Sequence, residues 1–182
     1  MTAVLDLQSC GLDSSDICDT LDIVIPLAHA SEDQIQSLTT YYTRILNNLG
    51  DSHIRLVLSV NETSLKGTID SIVSQREDIV SICAPELARD GNNNKSNNVS
   101  YAIDRSNSSS ILLIDDDALI SAEGVLAAKL ALKEYGLVRF MAEYKNPDIF
   151  DEIDLFSIFF INAICDDRQF WGNIGFQAKY IR

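Results

Sequence analysis

A chain of 182 residues with 46% hydrophobic side chains has material for one packed domain and is too apolar for a disordered chain. Its formal net charge of −13, from 27 acidic against 14 basic residues, argues against duplex nucleic acid or an anionic membrane as partner, since both need basic surface. A phosphorylated small molecule stays open, because a bound metal can mask its charge.

The opening residues, MTAVLDLQSCGLDSSDICDT, are rich in Ser, Asp and Gly and show neither the basic start nor the apolar run of a signal peptide. They read as an arm over 1–20, with one domain over 21–182. Leu21–Pro26 (LDIVIP) is a short β-branched run closed by proline, which predicts a buried strand. Ser31 ahead of Glu32 and Asp33 marks a helix start, and Ile35, Leu38, Tyr42, Ile45, Leu46 and Leu49 keep helical spacing up to Gly50. Ile54–Val60 is a second strand, Ser64–Gln75 a second helix and Asp78–Ala84 a third strand. Arg89–Ser100 reads as a polar loop, mobile without ligand, because its Asn and Gly residues compete with regular structure.

Val99–Arg105 is a short helix and Ile111–Ile114 a fourth strand. Ala122–Tyr135 is a helix closed by Gly136 as C-cap. Leu137–Tyr144 is a fifth strand, Asp151–Cys165 fits helix or strand, and Trp171–Ile181 is a late strand. The apolar part from Ile153 to Cys165 is too short to span a bilayer. Strands alternating with helices predict a mainly parallel α/β sheet. Cys10, Cys18, Cys83 and Cys165 show no CxxC spacing, so free thiols and a soluble, cytoplasmic protein are expected.

The chemistry concentrates in ILLIDDDALI, Ile111–Ile120, where four aliphatic residues run into three aspartates. Asp is disfavoured in strands and adjacent carboxylates repel one another, so a positive partner is expected there. In open α/β sheets, ligands bind beyond the carboxyl ends of the strands. If the chain stays extended, Asp115 and Asp117 project to one side and Asp116 to the other. Such a pair of hard oxygen donors suits a divalent cation. Two other readings compete: a solvated acidic turn, and a response-regulator receiver, whose opening strand also ends in paired acids. A receiver would have to begin here, and no later strand ends in a clear phosphoacceptor Asp followed by a Lys.

The order of elements from Leu21 onward resembles the GT-A fold of nucleotide-sugar glycosyltransferases, most closely the family 2 type. LDIVIP resembles that family's opening strand. GNNNKSNNVSYAIDRSNSSSILLIDDD resembles the loop, short helix and apolar run into its D-x-D motif, and WGNIGFQAKYIR resembles a late strand of the domain. The resemblance implies a single-domain, GT-A-like (Rossmann-like), mainly parallel sheet flanked by helices. It also implies a nucleoside-diphosphate sugar as donor, with Mn²⁺ or Mg²⁺ held by Asp115 and Asp117. Asp116 would face ribose or sugar hydroxyls, and Pro26, Ala28 and His29 would lie beside the nucleotide. Asn61 and Glu62 stand where the family places a base-contacting Asp, and Lys95 and Asn98 would reach phosphate or sugar.

The chain also departs from the family pattern. Asn97 and Asn98 replace the loop's Arg-Asn pair, and Ser100 its Gly. The segment that carries the family's catalytic Asp or Glu, its base, should start where this chain ends, at Arg182, leaving Asp166 and Asp167 as candidates. The expected activity is sugar transfer to a saccharide, lipid or protein acceptor. The alternative is a non-catalytic GT-A-like module that binds a nucleotide sugar or a protein. Neither nucleic acid nor a membrane span is expected, and a homo-oligomer is compatible with the sequence.

Overall fold

The computed structural model describes residues 20–28, 30–50, 53–61, 63–74, 76–85, 94–139 and 174–177. Six strands form one sheet: β1 Leu21–Leu27, β2 Ile54–Val60, β3 Ile79–Cys83, β4 Ser110–Leu113, β5 Leu137–Arg139 and β6 Ile174–Gln177. Their order is β3-β2-β1-β4-β6-β5. The first four strands are parallel to one another, while β6 runs antiparallel to both β4 and β5. The four segments expected as neighbouring core strands are therefore the parallel centre of the sheet.

All seven residues of β1 are buried. A run of this kind, apolar but for Asp22, is what a strand covered on both faces requires. Its side chains alternate between two cores. Leu21, Ile23, Ile25 and Leu27 join Leu56, Leu58 and Leu112 under helices α1 (Glu32–Leu49), α2 (Thr63–Val73) and α4 (Ala122–Tyr135). Val24 instead joins Val57 and Ile111 on the other face, against Ala102 of α3 (Asn94–Arg105). Helix α1 follows its sequence signals closely. Ser31 caps it by accepting a hydrogen bond from the Gln34 N–H at 3.2 Å, and Gly50 closes it with φ 59° and its N–H bonded to the Leu46 carbonyl.

Two expectations need correction. Pro26 does not end the first strand, for pairing with β2 continues through Pro26–Ser59 and Leu27–Val60. Along β1 the N–H of Leu21 faces the β2 side, where it donates to the His53 carbonyl. The carbonyls of Thr20 and Val24 face β4, accepting from Ser110 and Ile114. Alternation puts the nitrogen of Pro26 on the β4 side as well. Strand pairing with β4 has ended there at Val24–Leu113, so the missing donor breaks no ladder bond.

The second correction concerns the Asn-rich segment. Residues Asn94–Ser100 are the first half of α3 rather than loop. Local propensity is overridden by contacts to the rest of the fold: Asn98 and Ala102 are buried on the inward side, and the Asn97 side chain donates to the Pro85 carbonyl at 2.8 Å. The remainder of the expected loop, 89–93, lies outside the described residues, as do 1–19 of the N-terminal arm and segment 140–173.

Candidate functional site at the carboxyl edge of the sheet

Because β1, β2 and β4 are parallel, Leu27, Val60 and Leu113 end at one edge, and the residues that follow them gather there. The first half of α3 returns to the same edge. Two clusters result. One is an acidic turn with a lysine, the other a pair of asparagines.

The chain stays paired one residue past β4, with the Ile114 N–H bonded to the Val24 carbonyl at 3.0 Å. It then closes a turn in which the Ala118 N–H donates to the Asp115 carbonyl at 3.1 Å. The extended alternation expected for the three aspartates does not hold, since a turn swings successive side chains out of the strand's two-sided pattern. Lys95 Nζ lies 2.8 Å from Asp115 Oδ1 and 3.8 Å from Asp116 Oδ1, and so bridges two side chains expected on opposite sides. This ammonium is the positive partner that the triplet demands.

Partial burial pulls the lysine's pKa down. The hydrogen bond it donates to Asp115 and the charges of Asp115, Asp116 and Asp117 outweigh that, and hold it above the usual lysine range. Helix α1 braces the turn from the other side. Gln34 Nε2 reaches the Asp116 carbonyl at 3.5 Å, and the Tyr41 hydroxyl donates to the Ile120 carbonyl at 3.2 Å.

The second cluster lies beneath the edge. Asn98 is fully buried. Its Nδ2 donates to Asn61 Oδ1 at 2.7 Å and points to the Leu27 carbonyl at 3.4 Å, while Ser59 Oγ donates to the Asn98 carbonyl at 2.9 Å. Helix α3 is thereby tied to the ends of both β1 and β2. Asn98 Oδ1 and Asn61 Nδ2 are buried without a hydrogen-bond partner. The arrangement gives Asn98 the role of holding α3 in place.

The structure thus brings Lys95, Asp115 and Asp116 together, and joins Asn61 to Asn98. Asp117 is exposed in the same turn, Pro26 is buried within β1, and Ala28 is half-buried just beyond it. His29, Glu62, Asp166 and Asp167 lie outside the described residues. Sequence reasoning missed Ser59, Gln34 and Tyr41. Ser59 did carry a signal, as a hydroxyl in IRLVLSV, where Arg55 is the only other polar side chain, that had to find a buried partner.

Among the described residues, no three or more His, Cys, Asp or Glu side chains converge as a metal cage. The turn still has the right donor chemistry for a hard divalent cation: carboxylate oxygens, partly exposed, with one ammonium against three negative charges. Two carboxylates leave most of a cation's coordination to water or to ligand phosphates, as magnesium sites commonly do.

No protein-family model matches the sequence, and no curated protein matches it. Solved structures do resemble the fold. A 4-diphosphocytidyl-2C-methyl-D-erythritol synthase from Anaerococcus prevotii aligns at 11% identity and a TM-score of 0.51, over 89% of this chain and 71% of that one. A glucosyl-3-phosphoglycerate synthase from Mycobacterium tuberculosis, solved with Mn²⁺, UDP and phosphoglyceric acid, aligns at 14% identity and a TM-score of 0.53. That match covers 89% of this chain and 57% of the synthase, so the chain spans little more than half of that protein. Identities this low speak for fold alone. The fold is the GT-A-like, Rossmann-like one that these two synthases share.

Proposed function

We propose that this chain binds a nucleoside-diphosphate sugar at the carboxyl edge of its sheet and transfers the sugar to a saccharide, lipid or protein acceptor. The observation that carries the reading is the acidic turn on β4, which sits at the ligand-binding edge of a nucleotide-sugar-transferase-like fold. Asp115 and Asp117 would hold Mn²⁺ or Mg²⁺. When bound, the cation neutralises charge on the departing diphosphate. Asp116, partly exposed in the same turn, would accept hydrogen bonds from ribose or sugar hydroxyls. Ala28 and His29, following β1, and Asn61 and Glu62, following β2, would frame the nucleoside. Asn98 supports that frame from below, and Lys95 supplies positive charge for phosphate. Asp166 and Asp167 would be the candidates for the catalytic base.

Thermal melting with Mn²⁺ and a panel of nucleoside diphosphates tests the reading. A ligand that binds only the native state raises the melting point, by about 2.7 kcal/mol of added stability at one hundred times its Kd. The expected outcome is a clear rise with Mn²⁺ plus at least one diphosphate, which Asp115→Asn with Asp117→Asn abolishes. That double variant alone should melt within about 0.5 kcal/mol of wild type, because relief of repulsion offsets one lost surface ion pair. A wild-type melting curve unmoved by millimolar Mn²⁺ and every diphosphate would leave the resemblance as one of fold only.

A further inference from the structure

Lys95 raises a problem for the site just described. The carboxylate it approaches most closely, Asp115 at 2.8 Å, is one that a divalent cation would need. An ammonium and a divalent cation cannot share that carboxylate closely without strong like-charge repulsion. Each therefore weakens the hold of the other.

The lysine can leave cheaply, because its charge sits on a flexible four-carbon stem and both partners are partly exposed, at 40% and 38%. The helix that carries it has no such freedom. Three residues on, Asn98 ties α3 to Asn61, Ser59 and Leu27, and Asn97 ties it to Pro85. The lysine therefore swings from a fixed base, within reach of the same edge.

We infer that Lys95 is an internal counterion of the acidic turn, displaced from Asp115 by the incoming cation and transferred to the donor's diphosphate. The inference rests on the proposed metal- and nucleotide-binding reading and adds an exchange to it. Before ligand arrives, the ammonium offsets part of the triplet's charge and competes with metal. Once metal and diphosphate are bound together, the same ammonium, still near Asp116, gains phosphate oxygens as further partners. Lys95 is thus expected to weaken binding of metal alone and to strengthen binding of the nucleotide in the presence of metal.

Calorimetric titration of the full chain separates these effects, using Mn²⁺ alone and then UDP at saturating Mn²⁺. Lys95→Met should bind Mn²⁺ alone about threefold more tightly, the scale of one lost competing surface ion pair. It should bind UDP with Mn²⁺ about tenfold more weakly, the scale of one charge-assisted hydrogen bond. Lys95→Arg, which keeps the charge, should move both values back toward wild type. Unchanged or weaker Mn²⁺ affinity in Lys95→Met overturns the exchange while leaving the metal site standing. So does tighter Mn²⁺ binding with UDP affinity unaltered. Absence of Mn²⁺ binding in wild type and variant alike overturns both the exchange and the metal reading.

Discussion

A single carboxylate far from the acidic turn holds much of the lower sheet together. Asp22 in β1 is fully buried, and its two oxygens accept four hydrogen bonds: 2.9 Å from Arg55 Nε, 2.9 Å from Arg55 Nη2, and 2.6 Å each from the Ser106 and Ser108 hydroxyls. Together they link β1 and β2 to the chain between α3 and β4. Asp22→Ala would strand two buried hydroxyls and a guanidinium, and should cost about 2–3 kcal/mol in urea denaturation. Arg55→Met should cost less, since the arginine side chain is 37% exposed. A milder case is Asp78, whose carboxylate is held below the ordinary aspartate range by hydrogen bonds from the Arg76 guanidinium. A depressed folded-state pKa contributes stability above the unfolded value and loses it as pH falls through the folded one. Arg76→Gln should therefore cost about 0.5–1 kcal/mol at neutral pH, with the difference from wild type fading below about pH 4. The Asp22 network was not legible from sequence, because it depends on side chains brought together by strand pairing, whereas Arg76 and Asp78 stand two residues apart in one turn.

Two glycines of the same type do opposite work at the scale of elements. A Cβ on Gly50 would meet nothing within 4 Å, so its φ of 59° is the whole reason for glycine there. Gly50→Ala should cost about 1 kcal/mol, and Gly50→Asn appreciably less, because Asn tolerates the left-handed region. Gly175 in β6 is a matter of space: a Cβ there would stand 3.0 Å from Leu132 Cδ1 and 3.3 Å from Cδ2, on the inner side of α4. Overpacking of this buried contact should cost about 1–2 kcal/mol, and Gly175→Ala with Leu132→Val should recover part of it in chemical denaturation. The first glycine was legible as a helix stop, since the signal is local. The second was not, because nothing in WGNIGFQ says which helix will lie across it. Helix α3 shows the same divide: the Asn run reads as loop until Asn98 finds Asn61 and Leu27.

For the molecule as a whole, the parallel centre was legible because buried strands write themselves as short apolar runs, and the chain alternates them with amphipathic helices. The insertion of β6 between β4 and β5 was not legible, since pairing order is a long-range choice that leaves no local trace. The site was half-legible. The aspartates announced an unsatisfied charge, but their partner Lys95 sat in a segment whose helical form depends on tertiary contacts. The insertion of β6 has a kinetic consequence. Strand β4 is bonded along its length to β1 on one side and to β6 on the other, so its amides have no free flank from which to open. Deuterium should enter Ile111–Leu113 only as fast as the whole domain unfolds, with β5 exchanging sooner. The acidic turn then hangs from the slowest-exchanging part of the sheet, and whatever rearranges when a ligand arrives must do so in side chains, against a clamp that stays shut.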